Sequence, residues 1–142
     1  GIPAEPLFRS WHIIVAFSDH QTADSLRKVC PDGQDAFLKA ALKIIADPAI
    51  NGTEVYVYRK YTQSYYLAQH ILNAVVNIVG TKDNGVRANP SLYVLRRTNM
   101  PAILVELAYL TNAGDAGKLE TMQSEFARGI YEGMLSYFGM DQ

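Results

Sequence analysis

The sequence predicts an α/β fold: a single domain over residues 1–142, with a mixed sheet flanked by helices. Three observations carry this expectation. Short β-branched and aromatic runs alternate with longer stretches of helical apolar spacing. Turn residues such as Pro31-Asp32-Gly33 and Asn51-Gly52 separate the runs. With 142 residues, 49 % hydrophobic and 19 % charged, the chain can bury one core and is too apolar for disorder.

Pro3 and Pro6 make an extended lead-in. Residues 11–17 (WHIIVAF) read as a buried strand. Ser18-Asp19 offers a turn, and residues 22–29 suit a short helix. Residues 35–46 have helical spacing up to the stop at Asp47-Pro48. Residues 53–59 (TEVYVYR) alternate as a strand, Val55 and Val57 on one face and Glu54, Tyr56 and Tyr58 on the other. Thr62 or Ser64 caps a helix to Val79 with Leu67, Ile71, Val75 and Ile78 as its stripe, and Gly80 ends it. Residues 81–90 read as a polar loop and 92–95 as a short strand. The apolar run 102–107 (AILVEL) suits a central strand. Asn112 or Asp115 caps one final helix that ends at Gly139.

Composition excludes several function classes. The net charge is -1 and the densest basic spots are the pairs Arg59-Lys60 and Arg96-Arg97, which argues against nucleic acid. No apolar run is long enough for a membrane span. The single cysteine, Cys30, forms no internal disulfide and no Cys-based metal motif. The sequence has no nucleophile elbow and no phosphate loop or dinucleotide fingerprint.

The candidate catalytic residue is Glu106. A carboxylate in an apolar strand is costly unless it is paired or functional, and its functional role would be general acid/base work. The alternative is a Glu at a sheet edge or paired with Arg96 or Arg97. His12, His20 and His70 show no metal-ligand spacing, and the Asp19–His20 pair is the best of a weak set. No metal ligand is assigned from spacing. Tyr56, Tyr58, Tyr61, Tyr65 and Tyr66 cluster as sugar-stacking candidates or as the packing of a strand–helix pair.

Several blocks together resemble the zinc-dependent N-acetylmuramoyl-L-alanine amidases of autolysins and division enzymes, in their C-terminal part. The clearest runs from Leu92 to Asn112 (LYVLRRTNMPAILVELAYLTN), similar to the family's LYVLR-x-T-x-MPA-[VI]-LVELGFLTN. Residues 52–58 (GTEVYVY) resemble the strand after the family's second zinc-binding histidine, and residues 82–87 (KDNGVR) its following loop. The resemblance implies that Glu106 is the catalytic glutamate. It implies peptidoglycan or its stem peptide as partner, with a further protein partner or self-association open, and a place outside the plasma membrane or in the cell wall.

The resemblance implies zinc as cofactor, and the zinc-ligand region is where the chain departs from the family. The histidine turn and the glutamate helix that open the family's domain are absent. Ile45, in Lys43-Ile44-Ile45-Ala46-Asp47-Pro48, stands where the second histidine is expected, and an alkyl side chain offers no lone pair. The expectation is a truncated or degenerate amidase-like domain with no zinc of its own. The other readings are an active enzyme with rearranged ligands, from His12, His20 or a second subunit, and a fragment of a longer protein.

Overall fold

The computed structural model describes residues 12–18 and 47–140. Its elements run in the order β1 (His12–Ser18), β2 (Thr53–Val57), α1 (Gln63–Val79), β3 (Asp83–Ala88), α2 (Tyr93–Arg96), β4 (Ala102–Tyr109), α3 (Ala113–Thr121) and α4 (Gln123–Phe138). The four strands form one mixed sheet in the order β1-β4-β2-β3. β1 is parallel to β4 and β2 to β3, while β2 runs antiparallel to β4.

The central position of β4 follows from its sequence. A strand paired on both sides and covered by helices needs a nearly continuous apolar run, and Ile103 and Val105 are fully buried. Val55 and Val57 of β2 lie on the same face. Against it α1 lays Leu67, Ala68, Ile71, Leu72, Val75 and Val79, with Phe126 of α4 closing the core. Ile78, expected in this stripe, is half-buried at its border. Thr62 caps α1 by accepting a bond from the Tyr65 backbone N–H at 3.4 Å, and Gly80, at φ 72°, ends it.

α4 packs directly on α1 because two glycines let the backbones meet. A Cβ on Gly129 would lie 2.8 Å from Val75 Cα, and one on Gly133 would lie 2.8 Å from the Ile71 nitrogen.

Three expectations are corrected. Residues 83–88, read as a loop, form strand β3. Asp83, Asn84 and Gly85 are turn formers, but the strand takes its pairing from β2 through an irregular register. Residues 92–95, read as a strand, fall on the helical turn α2, where only Leu95 is buried. Among the described residues, the β-like run LYVL has no neighbouring strand to complete a ladder. The single final helix is two, broken at Met122, whose φ of -120° leaves the helical range. The readings of residues 1–11 and 19–46 lie outside the described residues.

Candidate active site

β2 and β4 together place the two strand glutamates. In their antiparallel register Glu54 is opposite Glu106, so both side chains stand on the same face, the one turned away from α1. Directly opposed residues of such a pair have Cα atoms about 5 Å apart. Asp115 helps to fix this register. It is buried, and its Oδ2 accepts from Gly52 N at 2.8 Å and Tyr109 N at 3.0 Å, tying the start of β2 to the end of β4. Asn112, not Asp115, caps α3, accepting from the Asp115 N–H at 3.0 Å. Thr53 adds a second tie by donating to the Leu107 carbonyl at 2.7 Å.

Glu54 is only 4 % exposed, so its charge must be compensated. The Arg87 guanidinium reaches Oε2 at 2.9 Å. Two phenols donate to Oε1, Tyr109 at 2.7 Å and Tyr56 at 3.0 Å. Burial is the main cause that raises both phenols above their ordinary range. The Glu54 charge and the bond to it add to the shift, and Tyr56 is pushed up to about 12. Both therefore stay protonated and keep donating across the neutral range. The nearby Glu106 charge raises both phenols further.

The two carboxylates have different surroundings. Glu54 is held by a cation and two phenols. Glu106 stands across the ladder from it, half-buried with Oε2 shielded from solvent. Its place on the central strand, directly across from Glu54, suits a group that takes up and gives back a proton.

Zinc would need three or four converging ligands. Among the described residues no group of three His, Cys, Asp or Glu side chains could hold a metal. Glu54 is already engaged by three donors.

The remaining candidates are dispersed. His70 lies at the α1–α4 contact, its Nδ1 2.9 Å from Ser136 Oγ and its ring edge-on to Tyr137, which is a packing role. His12 opens β1 opposite Ala102, and its side chain lies outside the described residues, as do Asp19, His20, Cys30 and Ile45. Arg96 ends α2 and Arg97 is its C-cap, both before β4 begins, and they stack over Tyr93 at 6.0 and 5.8 Å. Of the tyrosines, Tyr56 belongs to the carboxylate cluster and Tyr65 packs against Tyr61 and Tyr66, while Tyr58, Tyr61 and Tyr66 are exposed. Sequence reasoning missed Glu54, Arg87, Tyr109 and the tie made by Asp115. Glu54 carried the same signal as Glu106, an acid alternating with buried valines.

The sheet with its helix layer matches solved peptidoglycan amidases. It superposes on the N-acetylmuramoyl-L-alanine amidase from Clostridium difficile 630 with a TM-score of 0.67 and 26 % identity, covering 94 % of this chain and 60 % of that one. The catalytic domain of CwlV from Bacillus (Paenibacillus) polymyxa, at 20 % identity and a TM-score of 0.61, shares the fold over 93 % of this chain and 99 % of that one. The chain belongs to the N-acetylmuramoyl-L-alanine amidase family, whose sequence profile matches residues 32–136. Among its relatives is the N-acetylmuramoyl-L-alanine amidase LytC of Bacillus subtilis, 32 % identical over 119 residues. That match takes in 81 % of this chain but only 24 % of LytC. The probable cell wall amidase LytH of Staphylococcus epidermidis is 28 % identical, with 73 % of this chain and 35 % of LytH covered.

Proposed function

We propose that this chain is a peptidoglycan-associated amidase-like domain in which Glu106 is the proton-transfer carboxylate, and that by itself it does not hydrolyse the amide between muramic acid and L-alanine. The observation that carries the reading is the pairing of Glu106 on the central strand with the compensated Glu54. Such a carboxylate can take a proton from a nucleophilic water and return it to a leaving amine. An amide also needs its carbonyl polarised. In the family zinc supplies that polarisation and an acidified water. Ile45 stands where a ligand histidine is expected, and no described side chain replaces it. The domain keeps the means to bind wall polymer and to move a proton, in a place outside the plasma membrane, as the wall-amidase names of its relatives suggest.

A second reading, an active zinc amidase with ligands drawn from His12, His20 or another subunit, is favoured by the intact block around Glu106. One experiment separates the two. Purified protein is analysed for metal and incubated with cell-wall sacculi, alongside Glu106→Ala. The non-catalytic reading expects no stoichiometric zinc and no stem peptide released by either form. Bound zinc, with peptide release that Glu106→Ala abolishes, establishes the second reading.

A further inference from the structure

A second polar site lies at the opposite end of β4 from Glu106. A cleft of about 550 Å³ opens where β2 ends, α1 begins and β4 starts. Its walls include Arg59, Gln63, Ser64, Arg96 and Asn99. From Ala102, which lines it, to Glu106 is four strand residues, or about 13 Å at the usual rise.

Among the described residues, the charge lining this cleft is of one sign. The sequence has no Asp or Glu between Glu54 and Asp83, nor between Asp83 and Glu106, and these two stretches build the walls. They bring Arg59, Lys60, Arg96 and Arg97 to this end of the molecule, and among the described residues none of the four is ion-paired. Both lining guanidiniums are held against aromatic faces, Arg59 over Tyr58 at 5.3 Å and Arg96 over Tyr93 at 6.0 Å, which limits their freedom before anything binds. Ser64 is 8 % exposed. Its Oγ accepts from Ala102 N at 3.1 Å, which leaves the hydroxyl proton to donate. The first turn of the 17-residue α1 contains no acid, so its positive end adds to the field.

One aromatic ring, Tyr58, lines the cleft beside Arg59. Tyr61 is 77 % exposed, in the short loop that also carries Arg59. Its φ of 59° is left-handed, a conformation unfavourable for a bulky side chain. An exposed ring beside a guanidinium offers a flat apolar face next to a cation, the combination that suits a sugar bearing an acid group.

We propose that this cleft is a subsite for an anionic group, carboxylate or phosphate, carried on a carbohydrate polymer, and that it grips the polymer about four strand residues from Glu106. Its placement beside a wall polymer rests on the amidase reading, whereas its affinity for a sugar-borne anion does not. The anion lies between Arg59 and Arg96 with Ser64 donating to it, and the sugar rests against Tyr58 or Tyr61.

The test is an amide-resolved NMR titration of the whole chain with N-acetylmuramic acid, glycerol phosphate and, as the neutral control, N-acetylglucosamine. Saturable shifts centred on Gln63, Ser64, Asn99 and Ala102 are expected with at least one anion, and much weaker ones with N-acetylglucosamine. The anion that binds more tightly identifies the source, a muramyl carboxylate or a phosphate-bearing wall polymer. Arg59→Ala with Arg96→Ala, both exposed positions, should weaken binding by about tenfold or more with the spectrum otherwise intact. Glu106→Gln should leave binding unchanged. The proposal is overturned if neither anion gives saturable shifts there, or if the double variant binds as the wild type does. Loss or gain of amide hydrolysis, which bears on the amidase reading, changes neither outcome.

Discussion

Glu54 shows how one buried charge organises its neighbours. Its carboxylate keeps Tyr56 and Tyr109 as donors, and the phenols resist ionisation in return. A tyrosine whose folded pKa lies above its unfolded value contributes stability that is complete below about pH 10 and is lost as pH rises through the folded value, about 12 for Tyr56. Between those limits the unfolded chain has released the proton and the folded chain still holds it, so the free energy of unfolding must fall as pH climbs. Denaturant titrations from neutral pH to pH 12 should show that decline, and Tyr56→Phe should make it shallower. An unchanged slope in the variant would mean that Tyr56 ionises normally in the fold. The cluster was half legible in the sequence. An acid among apolar strand residues marks itself, as Glu54 and Glu106 both do. Two of the three partners of Glu54, Arg87 and Tyr109, come from positions 33 and 55 residues away, and nothing in their spacing announces the contact.

Among the elements, the contact of α1 with α4 is the closest. Backbone approach at Gly129 and Gly133 leaves no volume for a methyl group, because the atoms it would meet belong to the main chain of α1. Gly133→Ala gains about 1 kcal/mol of helix propensity, yet it must push the helices apart and should destabilise the fold by roughly 1–3 kcal/mol net. Gly117→Ala in α3 meets nothing within 4 Å and should be neutral or mildly stabilising. Thermal melts of the two variants make the comparison, and equal melting temperatures would show that the helices yield easily. At this scale the sequence was informative where an element carries its own signal. Thr62, the apolar stripe and Gly80 mark α1 completely. β3 and α2 carried misleading local signals, because an edge strand is made by its neighbour and a lone turn by the loops around it. The break at Met122 has neither a proline nor a glycine at the site to reveal it.

At the scale of the whole molecule, the sheet is anchored on β4, which pairs on both sides and takes part in the core through Ile103 and Val105. Amide exchange should be slowest there and along the buried face of α1, and fastest in β3, which buries no side chain, and in α2, which buries only Leu95. Exchange of β4 amides as fast as those of β3 would contradict the strand order. The α/β class and the central place of the 102–107 run were legible because continuous apolar runs have few other uses. Parallel and antiparallel pairing were not legible, since they depend on which strand finds which.

The antiparallel match of β2 to β4 has an implication for how errors are filtered. Slippage of β2 by a single position would turn Glu54 into the hydrophobic interior and Val55 into the carboxylate cluster, at a cost no misfolded sheet could easily bear. Correct alignment of the strands and assembly of the carboxylate pair are thus the same event, and a molecule that has threaded wrongly reveals itself by failing to fold.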